Sequence, residues 1–145
     1  MAEHFYTIRD VEKLTGIPAT ALRFYDKRGL LVFVKRSSSG IRIFTDADVE
    51  RIRMIQFLRN IDMPVNVISR FIGLMLQGNG TLPERRRMVD AQLKQLQEEQ
   101  AMLQEKIEAA ASLTQSLSEL GKNSPVTPPK ILAYLRNSKN SSVVA

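Results

Sequence analysis

Apolar residues recur at helical spacing in two short runs near the start of the chain. Ile8, Val11 and Leu14 fall on one face of a segment from Thr7 to Thr15. Thr7 followed by Asp10 has the form of a capping box and marks where that helix begins. Gly16 supplies a turn. Pro18 lacks an N–H that a first helical turn does not need, so a second helix is expected from about Ala19 to Lys27. Its apolar side is Ala21, Leu22 and Tyr25, which leaves Thr20, Arg23, Phe24 and Lys27 facing outward.

The period then changes. Leu30 to Lys35 and Ile41 to Phe44 are rich in β-branched and aromatic residues, separated by Arg36-Ser37-Ser38-Ser39-Gly40. This reads as a hairpin with a flexible polar tip flanked by Arg36 and Arg42. Thr45 and Asp48 repeat the capping signature and open a helix to about Asn60, with Val49, Ile52, Ile55 and Phe57 or Leu58 inward. Arg51, Arg53 and Arg59 on that helix are read as a solvated face, with phosphate contact by one or two of them as the alternative. Pro64 introduces another helix, Val65 to Leu76, with Ile68, Phe71, Ile72 and Met75 as its core stripe. Gln77-Gly78-Asn79-Gly80 then closes it. Two short helices about a glycine turn, followed by a small hairpin, have the form of a helix-turn-helix with a wing.

From Pro83 to Leu120 there is neither glycine nor proline, and the pattern becomes a heptad. Val89, Leu93, Leu96, Gln100, Leu103, Ile107, Ala110, Thr114 and Leu117 are spaced by alternating fours and threes. At 1.5 Å per residue such a helix is about 55 Å long, and a single copy leaves its leucine stripe wet. Self-association through this helix is the expectation, with Gln100 fixing register at some cost in stability. Arg85, Arg86 and Arg87 just before the seam are read as a solvated cluster. After Gly121 come a linker-like stretch to Lys130, a short helical piece from Ile131 to Arg136, and an end expected to fray from Asn137. The expected division is therefore 1–80, 81–120 and 121–145, the last a short tail whose Tyr134 is expected to dock on a partner subunit.

Charge sharpens this picture. Between Ala19 and Thr45, Arg23, Lys27, Arg28, Lys35, Arg36 and Arg42 face one acid, Asp26, so this stretch holds +5 of the chain's +6. A concentrated positive surface on a turn-helix-wing frame suits a phosphate backbone. The 145 residues carry no cysteine, which excludes disulfides and thiolate metal sites, and one histidine, His4, argues against a histidine-built centre. No cofactor is expected. No nucleophile–base pair or phosphate loop is visible, and Asp46, Asp48 and Glu50 are explained as helix-start acids, so no enzymatic activity is expected. No apolar run approaches the roughly 20 residues of a spanning helix, and the start has no secretory pattern. A cytoplasmic, mainly α protein that binds double-stranded DNA is the reading, without a membrane partner.

The segments YTIRDVEKLTGIPATALRFYDKRGLL and SGIRIFTDADVERIRMIQFLRNIDMPVNVI resemble the MerR family of bacterial transcription regulators. The resemblance covers about Phe5 to Leu76 through specific motifs, and Pro83 to Leu120 through the long helix alone. It implies a winged helix-turn-helix whose second helix enters the major groove, and antiparallel long helices that pair two subunits. Arg23 and Tyr25 match the arginine and second tyrosine of the family's LRYY block, where the arginine contacts groove and backbone and the tyrosine hydroxyl contacts phosphate. Arg42 matches the wing arginine that lies on the backbone, and Thr20 stands where a small hydroxyl or basic residue faces DNA.

The candidate interface is thus Thr20, Arg23, Phe24, Tyr25, Lys27, Lys35, Arg36 and Arg42. Phe24, Ile41 and Phe44 depart from the family by standing where tyrosines are usual, each removing a hydroxyl. Without cysteines, metal and thiol sensing do not transfer. The tail is also too short for the large ligand domain of the drug-binding branch. The resemblance further implies a homodimer that bends and untwists promoter DNA and so acts on RNA polymerase indirectly, with the signal moving a hinge near Gly78 to Gly80. It leaves room for an unidentified small-molecule effector at the dimer junction. The alternative is an architectural or recombination accessory protein that bends DNA without regulating a promoter; a coiled-coil adaptor with incidental basic charge is a further rival.

Overall fold

A computed structural model of the chain describes residues 3–121 and 129–137. The order is α1 (Ile8–Thr15), α2 (Ala19–Lys27), β1 (Lys35–Arg36), β2 (Arg42–Ile43), α3 (Asp46–Asn60), α4 (Val65–Leu76), a 3-10 turn (Asn79–Thr81), α5 (Leu82–Glu119) and α6 (Pro129–Asn137). The fold is mainly α, with a two-stranded wing as its only named sheet among the described residues. The linker expected between Gly121 and Lys130 falls largely on residues outside the described ones, as does the frayed end beyond Asn137. Two compact units are present, Met1–Leu93 and Lys94–Ala145.

Local chemistry sets the helix ends. Both expected capping boxes form: Thr7 with Asp10 at α1, and Thr45 with Asp48 at α3, each side chain meeting the other's backbone N–H. The Asp10 carboxyl is held below its ordinary range, first by the Thr7 N–H and then by the Thr7 hydroxyl. The first unit closes on Val11, Leu22, Tyr25, Leu30, Leu31, Phe44, Val49, Ile52, Ile55, Leu58, Met63, Ile68, Phe71 and Ile72, drawn from α1 through α4 and the loops between them. Of Phe57 and Leu58 it is Leu58 that turns inward and is buried, Phe57 staying 55% exposed, while Leu14 of the α1 stripe is 47% exposed.

The hairpin is shorter than its composition predicts. Only Lys35–Arg36 and Arg42–Ile43 pair, in antiparallel register. Residues 28–33 form turns instead, because the left-handed Gly29 folds the chain back, with the Leu30 N–H on the Tyr25 carbonyl and the Val34 N–H on the Leu31 carbonyl. The pairing is extended from the other side by Tyr6, which exchanges hydrogen bonds of 2.8 and 2.9 Å with Phe44. The wing tip is cross-bonded within itself. Ser37 N–H donates to the Ile41 carbonyl at 2.7 Å, and Gly40 N–H to the Ser37 carbonyl at 2.9 Å.

The start of α5 belongs to the first unit, past the break expected at Gly80. Gln92 is buried and donates from Nε2 to the Ile61 carbonyl at 2.7 Å, satisfying an end group of α3. Arg70 on α4 pairs with Glu84, while Met88 and Val89 pack on the core. Arg85 is not the solvated residue expected. Its guanidinium lies 5.9 Å from the centre of the Phe71 ring, and its Nε donates to Thr81 at 3.0 Å. Thr81 in turn bonds the carbonyls of Leu74 and Gly78, so the turn expected to act as a hinge is tied at several points.

Two helix ends share one device. After α2, Gly29 sits at φ +76°, its N–H reaches Asp26 O, and the next N–H reaches Tyr25 O, which drops Leu30 into the core. After α3 the same pattern places Asp62 at φ +64° and buries Met63. No atom lies within 4 Å of a Cβ built on Gly29, so only backbone conformation opposes a side chain there. Gly29→Ala is therefore expected to lower unfolding stability by about 1 kcal/mol, and Asp62→Gly to raise it by about 0.5 kcal/mol, read by urea titration.

Candidate nucleic-acid interface

The nine-residue α2 is fixed from both ends. Pro18 at its N-cap offers no capping side chain, and the Glu12 carboxylate of α1 instead accepts the Ala19 N–H. At the other end the Gly29 turn closes the helix, while Leu22 and Tyr25 bury its inner face. What remains outward is Thr20, Arg23, Phe24 and Lys27, all exposed. Phe24 is 45% exposed and carries the Arg28 guanidinium 5.8 Å from its ring centre. An apolar face with a cation held over it resembles a surface built for contact more than one built for burial.

Tyr25 stands apart from its neighbours in the candidate set. It retains only 5% exposure, and its hydroxyl donates to Gln56 Oε1 of α3 at 2.6 Å. Burial pushes the phenol above its ordinary value, with Arg59 opposing. Tyr6 is also raised, first by the hydrogen bond its hydroxyl makes to Asp46.

On the wing, Lys35 and Arg36 are exposed, and Arg36 reaches back toward the Gly40 carbonyl at 3.4 Å. Arg42 is different. Its Nη2 forms an ion pair with Asp26 Oδ2, joining β2 to α2, and the two side chains keep 24% and 25% of their exposure. A cleft of about 280 Å³ opens beside this pair, lined by Thr7, Ile8, Arg23, Gly40, Ile41 and Arg42. Two candidate residues from separate elements, Arg23 and Arg42, therefore share one recess, with Thr20, Phe24 and Lys27 on the exposed side of α2.

Composition alone missed several partners. Asp26 showed only as the one acid among six cations between Ala19 and Thr45. Gln56 gave no sign at all of holding Tyr25. Of the arginines read as a solvated face, Arg51 bonds Asp48 at 3.1 Å and lies 5.4 Å from the centre of the Phe33 ring. Arg53 donates to the Leu14 carbonyl at 3.1 Å, an end group of α1. Both serve the frame. Among the described residues no cluster of three or more histidine, cysteine, aspartate or glutamate side chains is placed to hold a metal ion.

Tyr25→Phe removes a hydroxyl that is hydrogen-bonded in the free protein, so it is expected to cost about 1 kcal/mol of folding stability without DNA present. Both raised phenols predict a pH effect of definite sign. The unfolded chain releases these protons first, so stability holds below about pH 10 and falls above it. In Tyr25→Phe that alkaline loss shrinks, which a pH series of thermal unfolding reads.

Comparison with known proteins agrees with this geometry. The profile of the MerR HTH family regulatory proteins matches residues 6–73. An uncharacterized HTH-type transcriptional regulator of Haemophilus influenzae is 34% identical over 129 residues, covering 87% of this chain and 96% of its own length. Among solved structures, HiNmlR, a MerR family regulator lacking the sensor domain and bound to promoter DNA, is 33% identical. It covers 86% of this chain and 100% of its own, with a TM-score of 0.59. A MerR family transcriptional regulator from Bacillus thuringiensis is 27% identical, covering 81% and 100%, with a TM-score of 0.60. The turn, the recognition helix and the wing thus sit in a known frame, and the chain belongs to the MerR family of transcriptional regulators.

Proposed function

We propose that the protein regulates transcription by binding promoter DNA as a homodimer, each copy setting α2 into a major groove and its wing against the adjacent backbone. The observation that carries this reading is the arrangement of Thr20, Arg23 and Lys27 on the free face of α2, with Lys35, Arg36 and Arg42 on the wing beside it. The likeness to HiNmlR supports it, since HiNmlR is bound to promoter DNA. In this reading Arg23 and Thr20 address base edges or the adjoining backbone, while lysines and the remaining arginines set position on phosphate. The protein catalyses nothing. It acts on RNA polymerase indirectly, through the shape of the duplex.

Pairing of two copies is supported by the long helix. Leu93, Leu103, Ile107 and Leu117, all on the heptad seam, are 51%, 58%, 53% and 58% exposed in the single chain. Each already has about half its surface covered in the single chain. Burying the remainder against a partner is worth about 1 kcal/mol per side chain, summed over the seams of both copies. Two units bound to one duplex bend it at a cost of order 1–6 kcal/mol, offset by contacts from two helices and two wings.

Selection of bound duplexes from a random pool, followed by footprinting and a bend assay, tests the reading as a whole. A near-palindrome with a protected, bent centre supports it, and recovery of no preferred sequence refutes it. On the selected site Arg23→Ala is expected to weaken binding by about 1–3 kcal/mol at fixed salt, and an unchanged affinity removes Arg23 from the interface. Leu103→Glu with Ile107→Glu is expected to give a monomer by sedimentation and to abolish the two-half-site footprint. A persistent dimer would move the pairing surface elsewhere.

A further inference from the structure

We infer that Asp26 is a specificity-determining residue: it holds the wing cation Arg42 on the recognition helix, withholding it from loosely bound duplex and delivering it to phosphate when helix and wing seat together. This rests on the DNA-binding reading above and adds to it a residue that reading leaves out.

The argument starts from charge. Asp26 is the sole acid among the six cations of Ala19 to Thr45, and it stands on α2, one residue from Lys27 and three from Arg23. An acid on a phosphate-facing helix opposes binding unless something uses it. Its user is Arg42, brought from the wing across sixteen residues of sequence into an ion pair. With about three quarters of each side chain covered, solvent does not scatter this pair as it does a surface one.

The pairing has two consequences. At a distance, guanidinium and carboxylate nearly cancel, so a duplex held loosely by long-range attraction meets one cation fewer. In close contact, the guanidinium still has donors left, since it carries five and one carboxylate takes at most two. The fork is then pre-oriented, and the side chain loses little further freedom on meeting a phosphate. The recess that Arg42 shares with Arg23 is where such a phosphate would lie. A loose complex gains nothing from Arg42, whereas a seated one gains an oriented hydrogen-bonding fork. That difference is specificity.

The test compares wild type, Asp26→Asn and Arg42→Ala on the selected duplex and on a scrambled duplex of equal length, each over a salt series. Freed by Asp26→Asn, Arg42 is expected to act as one more phosphate cation on scrambled DNA. Affinity for scrambled DNA then rises roughly threefold or more at low salt, and the log–log salt slope steepens by about 0.9. The ratio of selected to scrambled affinity falls. In an Arg42→Ala background the same Asp26→Asn change leaves the slope unaltered.

An unaltered slope with Arg42 present, or an equal steepening without it, overturns the inference. A merely structural pair would lower the melting temperature and leave the scrambled slope where it was. Should Asp26→Asn fail to fold, Arg42→Lys carries the test. It keeps the cation paired with Asp26 but loses the fork. Affinity for the selected duplex is then expected to fall while affinity and slope on scrambled DNA stay where they were, and an equal fall on both duplexes overturns the inference. If wild type itself prefers no sequence, the DNA-recognition reading has failed and takes this one with it. A discriminating wild type with an unmoved slope defeats this inference alone.

Discussion

A helix of nine residues is too short to hold itself together in water, where isolated helices shorter than about 12–15 residues are marginal. Yet α2 is the element that meets the duplex in the proposed complex, so its order must come entirely from its surroundings. Four contacts supply it. Glu12 caps the first turn from α1, the Gly29 turn closes the last, Leu22 and Tyr25 fill the core, and Asp26 ties the outer edge to the wing. Remove the packing and neither cap has a helix to end. Remove the caps and the Ala19 N–H at one end and the Tyr25 and Asp26 carbonyls at the other lose their partners.

The same dependence runs outward to the long helix. Gln92 completes the end of α3, Arg85 covers Phe71, and Arg70 pairs with Glu84, so the first turns of α5 are fixed to the frame that carries α2. The glycines at 78 and 80 suggested freedom in sequence. In the structure the Thr81 hydroxyl and the Arg85 guanidinium bridge that turn back to Leu74 and Gly78. In the proposed dimer, a movement between the two recognition helices therefore has to break those bonds or be absorbed in the helix beyond Leu93. The second route costs less, because bending a helix spreads strain over many residues.

Much of this was legible in the chain before any coordinates, and the reason is locality. Caps, turns and the 3.6-residue period act over three or four neighbours, so α1 through α4 and the start of α5 follow from the residues themselves. Contacts between distant residues did not. Nothing near Arg42 in sequence announces Asp26, nothing near Tyr25 announces Gln56, and the buried side of Gln92 depends on where α3 ends. The strand misreading has the same origin. Leu30 and Leu31 have the composition of a strand, but the Gly29 turn aims them at the core, and only the packed structure shows that this claim comes first. On the interface, the outward cations of α2 were readable from the helical period. The pairing state of Arg42 was not, since that is a tertiary fact.

Charge segregation gives the fold a further property. From Leu82 to Glu119 seven acids face five bases, so the long helix carries −2 while the stretch from Ala19 to Thr45 carries +5. A duplex approaching the chain is drawn to the turn-helix-wing frame and mildly repelled by the long helix. Attraction alone, however, cannot select a sequence, since every duplex presents the same phosphates. Each cation added to the frame strengthens wrong and right complexes together. In the proposed complex a frame this basic gains discrimination only from cations whose reach depends on seating, and from side chains, Arg23 among those proposed, that meet base edges when α2 is fully inserted. The short helix held rigidly at both ends serves that purpose: a mobile one would find partial contacts on any duplex, whereas a fixed one binds well only where groove and wing fit at once.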